Sequence, residues 1–507
     1  MRRTRMGIAV VVTAVLFGLL LFPASGYCLD KFFSGSRALG MAGSNVASVN
    51  DNSAQFYNPA AFGFFGRYSK AGEGKAGKHM SKENQLPEDN NNLGSKDWRL
   101  QAYGGLGVRL HENLPLLLDD LSKIDYKNLG TAGVTSQSAL QDMVKFSDIL
   151  SKLDQPGNAV TADSNGGVSF GLGHFAIGGY ASLQANARVV DIDTANLGVK
   201  FTGANLSAAI NLVTPTNFDN VVGLFSPAQQ AQLAPRFDAD AIKRLDFAAR
   251  QVGLTADQVQ GAVDILTKVG TVSVGTGTLA DNTTSAELRG FGMAEVPLSY
   301  GWALNDNLAL GANVKAMMGR VYEQQVLVFN TASGDILSDV AKDYAETTTF
   351  GVDLGALYRI NMWQAGLVCR NVNSPKFDGP TVRGRTYDDV TVDPSLTAGL
   401  AFIPYKGLTL EADYDLTKYE TVYPGYDTQY LSFGAEWLVL GFMALRGGIY
   451  ENQAESDIGL VYTAGIGMNV WAVHLDIAGA MAADTGEFDG SSYPLEGRLM
   501  AQLSFDF

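Results

Sequence analysis

Little in this chain is equipped for catalysis or for metal. Two cysteines and four histidines occur in 507 residues, and no His/Cys group has the spacing of a zinc site. His79, His111 and His174 fall in expected loops or turns, away from any Ser-Asp or Cys partner. His474 precedes Asp476 by two residues on one strand face, which could hold a base but is the ordinary pattern of a polar pair. Basic charge is also short: 37 Lys and Arg against 52 Asp and Glu leave a net charge of −15, which argues against nucleic acid as a ligand. Glycine clusters such as Gly104-Gly105-Leu106-Gly107, and Gly275 with Gly277, lie in or beside alternating strands, so they are not phosphate loops. Neither an enzyme activity nor a cofactor is expected.

Long apolar runs are scarce as well. Mean hydropathy is +0.03, too low for a bundle of membrane helices but compatible with strands whose alternation averages hydropathy away. Gly7 to Pro23 is short for a membrane span. With Arg2, Arg3 and Arg5 before it and Ala24-Ser25-Gly26 after it, it reads as a secretory leader, residues 1–26. Tyr27 stands where lipobox sequences carry a small residue, which argues against lipidation of Cys28. Cys369 reads as a small hydrophobe, although a Cys28–Cys369 disulfide is open in an oxidising compartment.

What the chain does have is period two. In residues 495–507, Leu495, Gly497, Leu499, Ala501, Leu503, Phe505 and Phe507 share one face. Glu496, Arg498, Gln502, Ser504 and Asp506 share the other, and only Met500 breaks the alternation. A strand of this length with one apolar and one polar face suits a bilayer crossing, lipid outside and lumen inside. Its terminal Phe resembles the closing strand of bacterial outer-membrane barrels, which implies recognition by their assembly machinery.

Similar alternation begins at Trp98. Short connections near Gly173-His174, Asn305-Asp306, Ile360-Asn361, Tyr405-Lys406, Leu440-Gly441 and Asn469-Val470 alternate with longer polar links. The pattern predicts an all-β fold, an antiparallel transmembrane barrel of about fourteen strands with short periplasmic turns and longer extracellular loops. Segments 196–209 and 271–280 could add two strands, leaving sixteen open. A strand expected at 167–172 is short for a crossing. Two stretches have helical spacing instead, near 111–160 and 210–270, with capping boxes at Ser226 and Thr255 and helices expected at 227–233, 239–251 and 256–268. The same register sends charges of both signs into the lumen, among them Arg99, Arg109, Glu295, Lys315, Asp353, Arg370, Glu411, Asp413, Asp415, Glu436, Arg446 and Asp476. Such a mixture suits a hydrogen-bonded network around a plug.

Residues 27–97 precede the barrel. Arg37-Ala38-Leu39-Gly40-Met41-Ala42-Gly43, then Val46-Ala47-Ser48 with Asp and Asn, then Asn58-Pro59-Ala60, resemble the N-terminal hatch of FadL-type outer-membrane transporters. They are similar also to related exported barrels of the conjugal-transfer TraF-like kind. The resemblance implies a hatch folded inside the barrel, with Arg37, Gly40, Gly43, Asn58, Pro59 and Ala60 as its motif. Residues 68–97 read as a loop.

Phe32, Phe33, Phe56, Tyr57, Phe62, Phe64 and Phe65 put seven aromatics in the hatch, where they could line a pocket for an apolar ligand or form the plug's own core. Pro297 interrupts a strand and removes a ladder donor. With Gly290 and Gly292 it is the candidate for a strand kink of the kind that opens the wall laterally in FadL-type barrels. The resemblance thus implies outer-membrane passage of hydrophobic small molecules such as fatty acids or hydrocarbons. The alternative is a TraF-like envelope protein, anchored by its barrel and meeting protein partners through the helical inserts, which depart from the FadL pattern.

Overall fold

The computed structural model describes residues 27–28, 32–65 and 98–506, the last with breaks at 112–113, 126–135, 154–156, 194–195, 197–208, 214–222, 257–258, 270–280, 328–342, 406, 422, 424 and 489. The leader, the 68–97 loop, the proposed strand at 271–280, nearly all of that at 196–209 and the terminal Phe507 therefore lie outside the described residues.

Fourteen strands form one closed antiparallel barrel. In chain order they are β1 (Trp98–Leu110), β2 (Ala159–Leu172), β3 (Phe175–Val190), β4 (Ser285–Ala303), β5 (Leu308–Leu327), β6 (Tyr344–Ile360) and β7 (Trp363–Arg370). There follow β8 (Ser395–Tyr405), β9 (Leu408–Asp415), β10 (Tyr430–Val439), β11 (Met443–Asn452), β12 (Val461–Val470), β13 (Val473–Ala482) and β14 (Glu496–Asp506). Each pairs with its neighbours in sequence, and β14 returns to β1 from Arg109–Glu496 to Arg99–Asp506, so no edge is left to aggregate. The strand expected at 167–172 begins at Ala159. Residues 161–167 of it, TADSNGG, are polar or small on both faces, so the hydrophobic period disappears while backbone pairing to β1 continues.

The outer face is apolar: Leu106, Leu298, Val314 and Phe350 are each more than half exposed, which a water-soluble wall would not tolerate in such number. All five tryptophans, Trp98, Trp302, Trp363, Trp437 and Trp471, stand outward at the end with short turns. Tyr344, Tyr414 and Tyr462 are exposed near the end with long loops. Two aromatic belts bounding an apolar band mark a bilayer-spanning wall. Among the described residues no helix is long and apolar enough to cross.

The inner face carries the expected charges, buried or half-buried. The helical inserts both lie at the long-loop end. There α3 (Leu114–Ser122), α4 (Gln137–Leu153), α5 (Pro227–Leu233), α6 (Ala239–Gln251) and α7 (Val259–Val269) share one apolar core around Leu140, Ile149, Leu245 and Val263. Ser226 forms the capping box with Gln229, and Pro227 opens α5. Cys369 is a free thiol, so the Cys28–Cys369 disulfide does not form.

Candidate functional site

The hatch, residues 32–65, runs through the lumen and is buried almost throughout. Its two helical turns, α1 (Ser36–Gly40) and α2 (Ala54–Tyr57), and a 3₁₀ turn over Pro59–Phe64 are too short to be stable alone, so the wall must hold them. Arg37 reaches Glu436 on β10 at 3.0 Å; Glu436 also takes Arg446 of β11 at 2.6 Å, and Arg446 takes Asp476 of β13 at 2.5 Å. Glu411 accepts from the backbone of Ala47 and Ser48, and Asp413 from Asn45 and Val46, at 2.6 to 3.2 Å. Asn58 donates to the carbonyls of Val46 and Ala356 and accepts from Ala60 N at 3.1 Å, while Pro59 starts the 3₁₀ turn. Gly40 accepts from Thr463 at 3.0 Å, and Gly43 turns the chain at φ 84°.

Elsewhere the contact is backbone against backbone. A Cβ at Gly311 of β5 would lie 2.2 Å from Ala60 N, and one at Gly434 of β10 would lie 2.4 Å from Met41 O. Glycine at these wall positions is what lets the hatch seat.

Between hatch and wall is a cavity of about 110 Å³. Phe32, Gln55, Phe56 and Tyr57 line it from the hatch; Tyr103, Asn165, Tyr180, Met293, Glu295, Lys315, Asp353, Arg370 and Asn371 line it from or beside the strands. Val392 and Tyr419 close it from the long loops 371–394 and 416–429. The first of these loops folds inward: Phe377 is fully buried and meets Phe291 edge-on at 5.0 Å. The seven hatch aromatics divide accordingly. Phe32, Phe56 and Tyr57 face the cavity, whereas Phe33 packs on Tyr450 at 5.4 Å. Phe62, Phe64 and Phe65 fill the short-turn end beside Ala176, Ala303, Ala309 and Leu357, with Arg359 over the Phe64 ring at 3.9 Å.

The polar lining is largely self-satisfied. Lys315 Nζ lies 3.0 Å from Glu295 and 3.3 Å from Asp353, and Asp353 also accepts from Asn313 and Asn371 N. Arg370 sits 4.9 Å over the Phe56 ring and donates to Phe56 O and Thr397 at 3.5 Å. Asp415 accepts from Thr397 Oγ1 and Tyr430 N. His474 bonds Asp506 at 3.1 Å and not Asp476, which Arg446 holds, so the expected His474–Asp476 pair does not form. Cross-strand neighbours were nearer than the next residue on the same face. No group of metal-ligating side chains occurs among the described residues.

The wall itself has a defect. The β3–β4 ladder keeps one register from Phe175–Tyr300 to Val190–Ser285, yet the pairs Gly178–Pro297 and Gly179–Val296 are missing. Proline has no N–H to give, and its side chain faces inward beside the cavity. Gly290 and Gly292 lie in regular ladder opposite Ala185 and Leu183, so they do not belong to the break; its partners are Gly178 and Gly179. Outside this seam lies an open apolar trough bounded by Val168, Gly179, Val296, Leu475 and Leu503. Cavity and trough share Tyr103, Tyr180, Ala181 and Glu295 as their common wall.

Tyr180 closes the inner side. Its ring lies flat on Gly167 and Gly178, where a Cβ would come within 2.2 and 2.7 Å of it. The tyrosines are tied to the hatch: Tyr180 OH donates to Gln55 at 2.9 Å, and Tyr103 OH accepts from Ser34 at 3.0 Å. Tyr103 alternates in β1 with the outward Ala102, on the face of Arg99, Gln101 and Arg109, but nothing in the sequence assigned it a role. The available signal was a large aromatic at a lumen position between glycine and alanine, Ala102 and Gly104 for Tyr103 and Gly179 and Ala181 for Tyr180.

Comparison with known proteins adds the following. Residues 121–415 match the family model described as F plasmid transfer operon, TraF, protein. Among solved structures the chain is similar to the toluene transporter TbuX of Ralstonia pickettii, at 13% identity over 94% of this chain and 99% of that one, TM-score 0.44. A FadL homologue of Pseudomonas aeruginosa aligns at 11% identity over 95% and 100%, TM-score 0.43. The toluene transporter TodX of Pseudomonas putida aligns at 10% over 94% and 99%, TM-score 0.42. No curated protein matches.

Proposed function

We propose, from the premise that this chain belongs to the family described as the F plasmid transfer operon TraF protein, that it is an outer-membrane barrel passing small hydrophobic molecules sideways into the bilayer. The observation that carries this reading is the shared wall: one pair of tyrosines separates an aromatic-lined cavity from a lipid-facing trough, at the seam where two ladder pairs are absent. A ladder without those bonds opens at lower cost than an intact one. The ligand enters from the extracellular, long-loop end, rests against Phe32, Phe56 and Tyr57, and leaves when Tyr103 and Tyr180 swing with the hatch residues that hold them. Apolar burial supplies affinity, about 25 cal/mol per Å².

The test is a staple. Gly179→Cys with Val296→Cys places two outward thiols across the broken pairs. In proteoliposomes the reduced protein delivers ligand to the bilayer; the oxidised protein still binds it but delivers several-fold less. Equal delivery in both states removes the lateral route.

A second reading has its own observation. The helical inserts share a core of their own at the long-loop end, largely within the matched range 121–415, and a barrel needs no such structure merely to conduct. This supports an additional role as an envelope anchor that meets a protein partner through α5 to α7.

A further inference from the structure

We infer that the neighbouring short turns β10–β11 and β12–β13 are a lipid anchor: their apolar tips sink into the leaflet at that end while the turns across the barrel stay in water, so the cylinder stands tilted in the bilayer. No ligand enters this inference, which stands apart from the proposed passage.

The first observation is a misfit between residue and backbone. Three hairpins at this end close with two-residue turns, inside the pairs Leu172–Phe175, Ile360–Trp363 and Val470–Val473. Each turn opens on a left-handed residue: Gly173 at φ 53°, Asn361 at 50° and Trp471 at 62°. Glycine and asparagine adopt that conformation readily, and a large side chain does not. The β10–β11 turn repeats the misfit with Leu440 at φ 56°. Trp471 is 91% exposed and Leu440 76%, so folding buries little of either side chain. A broken local rule of this kind points to a contact made outside the chain.

The second observation identifies that contact. Asn469 N donates to Phe442 O at 2.8 Å, which ties the two turns side by side. Residues 437–445 and 464–473, which run through the turns, hold no charged side chain. Exposed apolar surface continues without a break from Trp437 and Met468 on the outer wall to Leu440, Phe442, Val470 and Trp471. A protein-docking patch carries a polar rim, whereas this one merges into the lipid-facing wall, so the occupant is lipid.

The third is asymmetry around the rim. Across the barrel the β2–β3 turn is Gly173-His174 and the β4–β5 turn carries Asn305-Asp306-Asn307. Taking these polar groups into the leaflet is costly, so that arc stays in water while the β10–β13 arc goes under.

The experiment reads depth. The full chain is reconstituted in phosphatidylcholine vesicles, plain or brominated on the acyl chains, with iodide supplied on both sides. Trp471 emission is the difference between wild type and Trp471→Phe, and Trp302 emission the difference from Trp302→Phe. Trp302 lies within the β4–β5 ladder opposite Leu310, whereas Trp471 lies in a turn beyond its ladder, so an upright barrel holds Trp302 deeper. The anchor reverses this order: Trp471 should lose more emission to brominated lipid than Trp302 does, and be shielded from iodide. Quenching of Trp471 by iodide and not by lipid overturns the anchor. Shielding from both means that a second copy covers the tip, and overturns it too. Leu440→Asn with Trp471→Asn gives both turns the residue that Asn361 supplies in β6–β7, which relieves the backbone and keeps the fold. Without the anchor the barrel rights itself, and Trp302 should be quenched more strongly by brominated lipid than in the wild type. Unchanged Trp302 quenching in this variant overturns the tilt.

Discussion

His111 sits just past β1, outside the spanning strands and nearly inaccessible to solvent. Its ring nitrogens lie 2.8 Å from Asp457 Oδ2 and 2.8 Å from Thr161 Oγ1, and Tyr426 donates to Asp457 at 3.1 Å. Burial, the largest influence, pushes the imidazole below its ordinary 6.5 and outweighs the hydrogen bond to Asp457, which raises it. The folded state therefore favours neutral His111. A depressed value means that its contribution to stability is fully present above the ordinary 6.5 and is lost as pH falls through the lower folded value. Protection of the backbone amides of residues 157–161, taken relative to their intrinsic exchange rate at each pH, should fall as pH drops below 6.5 in the native protein. His111→Gln should flatten that profile, and an identical profile in both would remove His111 as the cause. Burial would also raise Asp457, yet its bonds to His111 and Tyr426 win and hold the carboxyl low, so it stays charged through this window. None of this was visible in the sequence, where His111 read as a loop residue. Its partners are 50 and 346 positions away.

The hatch is the element whose sequence spoke most clearly and whose attachments were least visible. Arg37, Asn58 and Pro59 could be singled out by motif, but Glu436 could be matched to Arg37 only through the closed wall. Arg37→Met should destabilise hatch seating by about 3 kcal/mol, the low end for breaking a buried pair, because Glu436 keeps Arg446. Limited proteolysis within residues 32–65 reads this as faster cleavage with the barrel intact; unchanged cleavage would mean the pair holds nothing. Gly311→Val should do the same by sterics, since its Cβ would collide with Ala60, whereas Gly104→Ala, which meets nothing, should not. Among other elements, α5 and α6 fall on the expected 227–233 and 239–251, because Ser226 and Asp238 cap them locally. The start of β2 was missed for the opposite reason: its polar half is held by pairing to β1 and β3, and pairing leaves no mark on composition.

At the scale of the whole molecule, the alternation of short and long links fixed the fourteen-strand topology, since a barrel wall repeats one simple rule along every strand. Ile477, at the middle of β13, is about half exposed on the outer face. Ile477→Arg should cost about 2 to 4 kcal/mol in a membrane refolding assay, the penalty for a charge at the bilayer midplane. No cost there would mean that this face does not meet lipid. The inward loops and the tyrosine pair were not legible, because what fills a lumen is decided by which segments the closed wall brings opposite one another. Tyr27–Cys28 pairs in parallel with Tyr419–Thr421, in a loop at one mouth, while Phe62 to Phe65 lie at the other, where β1 begins. The polypeptide thus passes from mouth to mouth before its first strand starts, and a finished cylinder would have to be threaded like a needle. Biogenesis is simpler if the sheet is laid around that filament and zipped shut last, between β14 and β1, so that the contents are wrapped and never inserted.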